Sequence, residues 1–344
     1  MKIGIYIARR LLLAIPQMLL ISVVTFTLIR MLPGDPARLQ VGPNASEAGV
    51  QALRVKMHLT GSIPEQYEYY LGSILQGDLG RSWSRGTNVI DDLSSRLPAT
   101  LELITFGMLF ILLVLLPLGA ITAARGGGIV NRILKRVTFV YGLLAGALPD
   151  FWLGLLFLFL FFTILGWAPG PEGRLSIGAT PPPSVTGFYT IDSLLAGQIG
   201  TFLDAAGHLV LPVLTLGLVY GGQTFKTTRL TVGRALRSDY TTYLEGLGVP
   251  HRQVLILALR NAAPPIIVMT GIVLGFLLGG AVLIETVYNL NGIGQYAVQA
   301  VTSADYAPVQ AFVLVAALFT MLVYLVVDLL YFVVDPRVRA RVSK

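Results

Sequence analysis

The chain has 344 residues, a net charge of +7 and no cysteine. Hydrophobic residues make up 54% of it and charged residues only 12%, about half the share of a soluble globular domain. So few charges cannot cover a water-exposed surface of this size, and so much apolar content excludes a disordered chain. The composition therefore predicts a protein whose outer solvent is lipid, and the missing cysteines exclude a disulfide scaffold.

Six stretches are apolar and long enough to cross a bilayer as helices, which takes about 20 residues each. In chain order, the predicted spans cover residues 11–30, 101–124, 148–168, 207–226, 262–285 and 307–330. A shorter apolar stretch, Val137–Pro149, cannot cross alone and is interpreted as an interfacial lead-in to the third span. We therefore predict an all-α polytopic membrane protein in which residues 1–344 form a single transmembrane domain.

The connections between these spans differ in basic charge. One set of segments carries 17 of the 25 lysines and arginines. This set comprises residues 1–10, 125–136, 226–260 and 335–344. Cytoplasmic loops carry an excess of such residues, so this side is predicted to be cytoplasmic, with both termini inside. The predicted outer loops are then 32–99, 169–205 and 286–306, and the long cytoplasmic segment is 227–261. Because the positive charge reports the side of the membrane, we predict no nucleic-acid partner.

No motif for catalysis or nucleotide binding stands out in the sequence. None of the five lysines follows a glycine, so a phosphate-binding Gly-Lys-Ser/Thr loop is missing, and Gly126–Gly128 is interpreted as a flexible turn. His58, His208 and His251 are far apart and lack the spacing of metal ligands. We predict no catalytic residue, metal or cofactor, and no ATP hydrolysis by this chain.

The predicted fifth span carries glycines at a spacing of four, namely Gly271, Gly275 and Gly279. On a helix they share one face, which another helix can approach closely. Two interpretations stay open. The glycines pack within this chain, or they contact a second membrane subunit or the wall of a pathway.

Four carboxylates lie near the ends of predicted spans: Glu102, Asp150, Glu285 and Asp328. A charge at the bilayer centre is costly and usually belongs to a functional site such as a proton relay. Near the span ends water can reach a carboxylate. We therefore expect interfacial, solvated carboxylates, and the pattern argues against a proton-coupled transporter.

The long cytoplasmic segment has the pattern of a helix, a tight turn and a second helix. Basic residues at helical spacing precede Ser238, residues 246–250 form a Gly/Pro turn, and His251–Arg260 leads into the fifth span. One interpretation is a solvated basic loop. The other is a rigid elbow, residues 237–252, that docks on a cytoplasmic partner, and the missing ATP-binding motif favours it.

Several short segments occur in an order and spacing typical of one family. They are Arg9–Leu12, Leu32–Ala37, Gly77–Ser82, Arg96–Leu103, His208–Pro212, Glu285–Gly294, Asp305–Tyr306 and Asp335–Arg339. Through them the chain resembles permease subunits of ATP-binding-cassette importers of the dipeptide/oligopeptide/nickel family. The resemblance implies a type I importer permease with six transmembrane helices, in the inner membrane of a prokaryote.

In that family the elbow carries a Glu-Ala-Ala-x3-Gly-type motif that docks into a groove on the ATPase subunit. Gly248 matches the glycine of the motif, whereas Thr242, Tyr243 and Leu244 depart from its small-residue portion. The predicted coupling residues are Arg237, Asp239, Tyr240, Tyr243, Leu244, Glu245, Gly246, Gly248, Val249 and Arg252. The predicted subunit-packing or pathway residues are Gly271, Gly275, Gly279, Glu285, Asn289 and Asn291.

The resemblance also implies partners and a cargo. The partners are a second permease subunit, two cytoplasmic ATP-binding subunits and an extracytoplasmic substrate-binding protein, all at a lipid bilayer. The implied cargo is di- or oligopeptides, with nickel chelates, glutathione-like compounds and oligosaccharides as alternatives. A non-transporting membrane scaffold and an ATP-independent channel stay open as functions of another class.

Overall fold

The computed structural model describes residues 2–31, 36–42, 45–124 and 129–334. Across these ranges the chain is helical and has no β-strand, apart from one isolated bridge between Arg81 and Asn88. The prediction of an all-α chain is therefore confirmed for the described residues. The predicted turn at Gly126–Gly128, residues 32–35 of one family-like segment and the whole of another, 335–339, lie outside them.

The helices of the N-terminal half are α1 (Lys2–Arg30), α2 (Pro36–Val41), α3 (Glu47–Lys56), α4 (Ile63–Leu75), α5 (Val89–Phe110), α6 (Leu116–Ala124), α7 (Ile129–Leu144) and α8 (Asp150–Phe157). A π-helical turn, Ile111–Leu115, joins α5 to α6, and a second, Leu158–Ile164, continues α8. The helices of the C-terminal half are α9 (Tyr189–Leu195), α10 (Ile199–Ala235), α11 (Asp239–Gly246), α12 (His251–Tyr288), α13 (Ile293–Thr302) and α14 (Tyr306–Val334).

Five helical segments of the described residues are long and apolar enough to cross a membrane. They are Ile7–Arg30, Val89–Ala124, Ile199–Ala235, His251–Tyr288 and Tyr306–Leu330. Each contains one of the predicted spans. The predicted third span corresponds to a shorter apolar helix, Asp150–Ile164. The multi-pass membrane fold is thus found, with five full-length candidate spans in the part of the chain that the structure describes.

The long helices extend beyond the predicted spans at their charged ends. At about 1.5 Å per residue, the 37 residues of α10 reach about 55 Å, well beyond the roughly 30 Å of a hydrocarbon core. The prediction followed charge-free stretches only. A helix needs no apolar side chains outside the lipid, so α10 extends past the predicted span at both ends and α12 mainly at its basic N-terminal end.

The core lies where α10 and α12 pack against each other and against α5, α8 and α14. Leu216 on α10 and Leu277 on α12 are fully buried there, with Ile111 from the first π-helical turn. Glycines permit the close packing, since a Cβ at Gly280 of α12 would overlap Tyr220 of α10 and one at Gly221 of α10 would overlap Leu115. A tight central helix pair therefore connects the two sides of the molecule.

Helices α2 to α4 lie in the predicted first outer loop, and α4 packs against the end of α1. The hydroxyls of Tyr67 and Ser22 lie 2.8 Å apart, and the rings of Phe26 and Tyr70 are stacked at 5.5 Å. Burial raises the pKa of Tyr70, so its hydroxyl stays protonated over the physiological range. The aromatic side chains of this loop thus join it to the first span.

Candidate functional site

The elbow contains a short exposed helix, α11, which lies between the long helices α10 and α12. Ser238 is the residue before α11 and has an extended backbone, and the buried hydroxyl of Thr241 donates a 2.7 Å hydrogen bond to the carbonyl of Ser238. After α11 the chain turns at Gly248, whose φ of +76° is a left-handed conformation that glycine adopts without strain. The predicted helix–turn–helix is therefore present, with Gly248 as the residue that makes the turn possible.

The elbow exposes apolar side chains. Tyr243 is 67% exposed and Leu247 is 63% exposed, although both are large hydrophobic residues in an otherwise basic segment. Asp239, Glu245, Gly246, Gly248, Arg237 and Arg252 are also exposed, while Tyr240, Leu244 and Val249 are half-buried. The predicted coupling residues thus lie in one continuous segment, on α11 and at its junctions with α10 and α12, and most of them are exposed.

The two helices that carry the elbow are firmly packed at their base. Val254 and Ala258 near the start of α12 are fully buried, and Val232 of α10 forms a small core with Ala262 and Ile266 of α12. A force applied to α11 would therefore act on α10 and α12 together rather than on a loose loop.

A second constellation lies at the opposite end of α12, around Glu285. The side chain is fully buried and accepts hydrogen bonds from the Thr100 hydroxyl at 2.5 Å and the Gln295 amide at 2.9 Å. The Ile293 amide donates to the same Thr100 hydroxyl at 3.0 Å. A carboxylate at the first turn of a helix is stabilised by its free amides. Glu285 thus attaches α13 to the end of α12 and to α5.

Two predicted residues belong to the same constellation. Asn289 and Asn291 adopt left-handed φ values of 56° and 60°, and the side-chain amide of Gln295 donates to Asn289 Oδ1 at 2.7 Å, while its backbone amide donates to Glu285. Arg96 donates to the side-chain oxygen of Asn291. The structure therefore brings Glu285, Asn289 and Asn291 together, on the turn between α12 and α13, while a role in subunit packing or in the pathway stays a prediction.

A buried ion pair fixes the predicted second outer loop. Arg174 lies 2.5 Å from Glu102 Oε2, and its guanidinium lies 3.5 Å from the centre of the Tyr189 ring. The other oxygen of Glu102 accepts from the amide and the hydroxyl of Thr190, at 2.9 and 2.6 Å. Arg174 and Thr190 therefore anchor the largely non-helical segment before α9 to Glu102 on α5.

Asp192 organises the same loop from within. Its carboxylate accepts four hydrogen bonds, from the amides of Val185, Thr186 and Gly187 and from the Thr186 hydroxyl. Burial opposes ionisation of Asp192, but these hydrogen bonds outweigh it and hold its pKa below the ordinary value. The loop is thus built around an ionised aspartate.

The expectation of solvated carboxylates is wrong for three of the four residues. Glu102, Asp150 and Glu285 are only 1%, 8% and 0% exposed. Each has partners that replace water, and Asp150 accepts from the Tyr220 hydroxyl at 2.9 Å. Asp328 keeps 30% of its side chain exposed and pairs with Arg10 at 2.9 Å.

The glycines of α12 do not form one surface. A Cβ at Gly271 would overlap Val327 of α14, so this glycine packs within the chain. Gly275 has only Tyr324 and Thr320 side-chain atoms at 3.7–3.8 Å, and Gly279 has no neighbour within 4 Å. Contact with a second subunit stays a prediction for Gly275 and Gly279.

Sequence reasoning missed Thr100, Arg174, Asp192 and Gln295. Thr100, Arg174 and Gln295 act through partners on other elements, such as Thr100 and Glu285, which lie 185 positions apart, and Asp192 acts through amides five to seven residues before it. A buried carboxylate in an apolar chain demands such a partner, and that requirement was the one available signal for them.

Long apolar helices, a tightly packed central pair and an exposed elbow define a multi-pass membrane protein. Residues 115–340 match the family described as the binding-protein-dependent transport system inner membrane component, and residues 4–104 match the N-terminal component of such systems. The chain belongs to this family and is a permease subunit of an ATP-binding-cassette importer.

Relatives cover almost the whole chain. The di/tripeptide transport system permease protein DppB of Pseudomonas aeruginosa is 38% identical over 337 residues, 97% of this chain and 98% of that protein. The probable D,D-dipeptide transport system permease protein DdpB of Escherichia coli is 39% identical over 92% of each chain. The dipeptide transport system permease protein DppB of Alkalihalophilus pseudofirmus is 33% identical over 97% of this chain and 99% of that protein.

Proposed function

We propose that this permease forms part of the membrane pathway of a peptide importer and that cytoplasmic ATPase subunits drive it through the elbow. The observation that carries the proposal is α11, a short helix that exposes Tyr243 and Leu247 between the bases of α10 and α12. The names of the relatives, which include di/tripeptide and dipeptide permeases, support peptides as the cargo.

In this proposal ATP is hydrolysed by separate subunits, two of which bind a pair of permeases formed by this chain and a second, related one. In the proposed topology six spans put both termini and the elbow on one side of the membrane, and the excess of basic residues there assigns that side to the cytoplasm. The outer loops receive a substrate-binding protein. The 38 residues of α12 extend about 57 Å, from the elbow to the constellation around Glu285. Movement of the elbow can therefore reach α13 through one continuous helix, as alternating access requires.

The docking proposal is tested by placing charge on the exposed apolar surface of the elbow. The double variant Tyr243→Asp with Leu247→Asp should fold normally, because both side chains are exposed. It should lower co-purification of the ATPase subunits at least about tenfold, which corresponds to about 1.4 kcal/mol of binding free energy, and should abolish peptide uptake.

The matched control is Ile177→Asp with Leu75→Asp, which changes two residues that are 85% and 80% exposed in the predicted outer loops. It should leave ATPase co-purification unchanged. Normal co-purification and normal uptake by the elbow variant, at normal amounts in the membrane, would contradict docking at α11.

The cargo is tested separately, by identifying the ligands of the associated binding protein. Peptides should compete for uptake through the complete importer, whereas nickel chelates and oligosaccharides should not. Competition by one of the latter would assign a different cargo and would leave the docking proposal intact.

A further inference from the structure

A cavity of about 600 Å³ lies between α6, α7 and α10, and of the predicted coupling residues Arg237 alone is among its described lining residues. Helix α7 forms one wall through Lys135, Phe139 and Leu143, which recur at a helical spacing of four. The opposite wall is α10. The Tyr141 hydroxyl donates to the carbonyl of Leu218 at 3.0 Å and thereby holds the two helices together beside the cavity.

The position of the cavity along α10 places it at the edge of the bilayer. Residues 205–225 of α10 contain no Asp, Glu, Lys or Arg, and about 20 such residues match the hydrocarbon thickness. Lys226 is the first charge after them, and Arg229 follows one turn later. Both line the cavity, which therefore lies at the level of the lipid headgroups.

Helix α7 has the character of a helix that lies in the membrane interface. Ile133, Val137, Val140 and Leu144 are 48–59% exposed and form one apolar stripe. The same helix carries Arg132, Lys135 and Arg136. An exposed apolar stripe beside basic residues is stable where acyl chains and headgroups meet.

The walls of the cavity combine positive charge with apolar surface. Four of the lining residues are cationic: Lys135, Lys226, Arg229 and Arg237. No acidic residue lines it among the residues that the structure describes. Lys226 donates to the carbonyl of Ala145 at 3.2 Å and Arg237 to that of Gly233 at 3.1 Å, and a neutral carbonyl does not cancel either charge. Phe139, Leu143 and Phe225 supply the apolar part.

We propose that this cavity binds an anionic phospholipid of the adjacent leaflet. Its phosphate lies among the four cations, and its acyl chains run along Phe139 and Leu143 of α7. Basic pockets between membrane helices on the cytoplasmic side favour such headgroups. An acidic protein segment would meet the same charges but would leave Phe139 and Leu143 exposed. The proposal rests on the proposed orientation only for the choice of leaflet.

The test uses native mass spectrometry of the purified permease, with its partner subunits where these co-purify, titrated with phosphatidylglycerol or phosphatidylcholine. Wild type should retain phosphatidylglycerol about tenfold better. The variant Lys135→Gln with Arg229→Gln should lose that preference. The control Arg132→Gln with Arg136→Gln removes the same charge from exposed positions outside the cavity and should change the preference less than about twofold.

Three results would overturn the proposal. An equal loss in both variant pairs would mean general attraction to positive charge. Displacement of phosphatidylglycerol by millimolar inorganic phosphate would mean a site for small anions. Unchanged lipid retention with lost ATPase co-purification would mean a surface for a protein. Lipid retention is measured on purified protein, so its outcome does not depend on whether the elbow variants affect peptide uptake. The lipid proposal and the docking proposal can therefore fail separately.

Discussion

Glu285 is a carboxylate that loses all contact with solvent and gains fixed donors instead. Burying a charged group is costly unless hydrogen bonds compensate it. Here the Thr100 hydroxyl and the Gln295 amide provide them, and a Cβ at Gly292 would overlap the Glu285 side chain. The glycine that follows α12 is therefore required by the close approach of this carboxylate rather than by its own φ.

Replacing Glu285 should destabilise the protein. Glu285→Ala leaves the Gln295 amide and the Thr100 hydroxyl without their acceptor, and a buried unsatisfied group costs about 1–3 kcal/mol. The melting temperature of the purified protein should fall, and Glu285→Gln should lower it less because an amide oxygen still accepts. Glu68→Ala, at an exposed position, is the control. An unchanged melting temperature for Glu285→Ala would rule out the proposed attachment of α13.

The helices that could be predicted from the sequence are those whose composition is constrained by lipid. The charge-free stretches located α1, α10, α12 and α14, because a helix in lipid must be apolar over about 20 residues. The same rule gave no information on α3, α4 or α9, which lie outside the predicted spans. Their positions depend on contacts such as the ion pair between Arg174 and Glu102, which joins residues 72 positions apart. No local pattern encodes such a contact.

The loop before α9 should lose stability in acid. The folded-state pKa of Asp192 lies below its ordinary value of 3.8. Its contribution to stability is therefore complete above about pH 4 and is lost as the pH falls through the lowered folded-state pKa. Asp192→Asn should melt at a lower temperature than wild type at pH 7, and the gap should narrow towards pH 3.

The control for this pH effect is Asp91→Asn, which changes an exposed aspartate on α5. Its melting temperature should follow that of wild type across the range. A gap for Asp192→Asn that stays constant from pH 7 to pH 3 would show that ionisation of Asp192 does not organise the loop.

At the scale of the whole molecule, the two long helices α10 and α12 connect its two ends. The elbow lies at one end of α12 and the constellation around Glu285 at the other, and the buried core along α10 and α12 makes the pair stiff. The elbow could be located from sequence because a Gly/Pro turn interrupts a basic helical pattern. The opposite end could be located only through the family-like segment Glu285–Gly294, since its donors come from α5 and α13.

The orientation of α10 and α12 across the membrane can be measured directly by labelling introduced cysteines, because the chain contains no cysteine of its own. Tyr243→Cys and Ile177→Cys each create one thiol at a position that is 67% or 85% exposed. The excess of basic residues around the elbow predicts that this end faces the cytoplasm. A membrane-impermeant maleimide added outside the inner membrane should label residue 177 at once and residue 243 only after the membrane is opened. The cysteine-free wild type sets the background, and labelling in the reverse order would place the elbow on the side where no ATP is available.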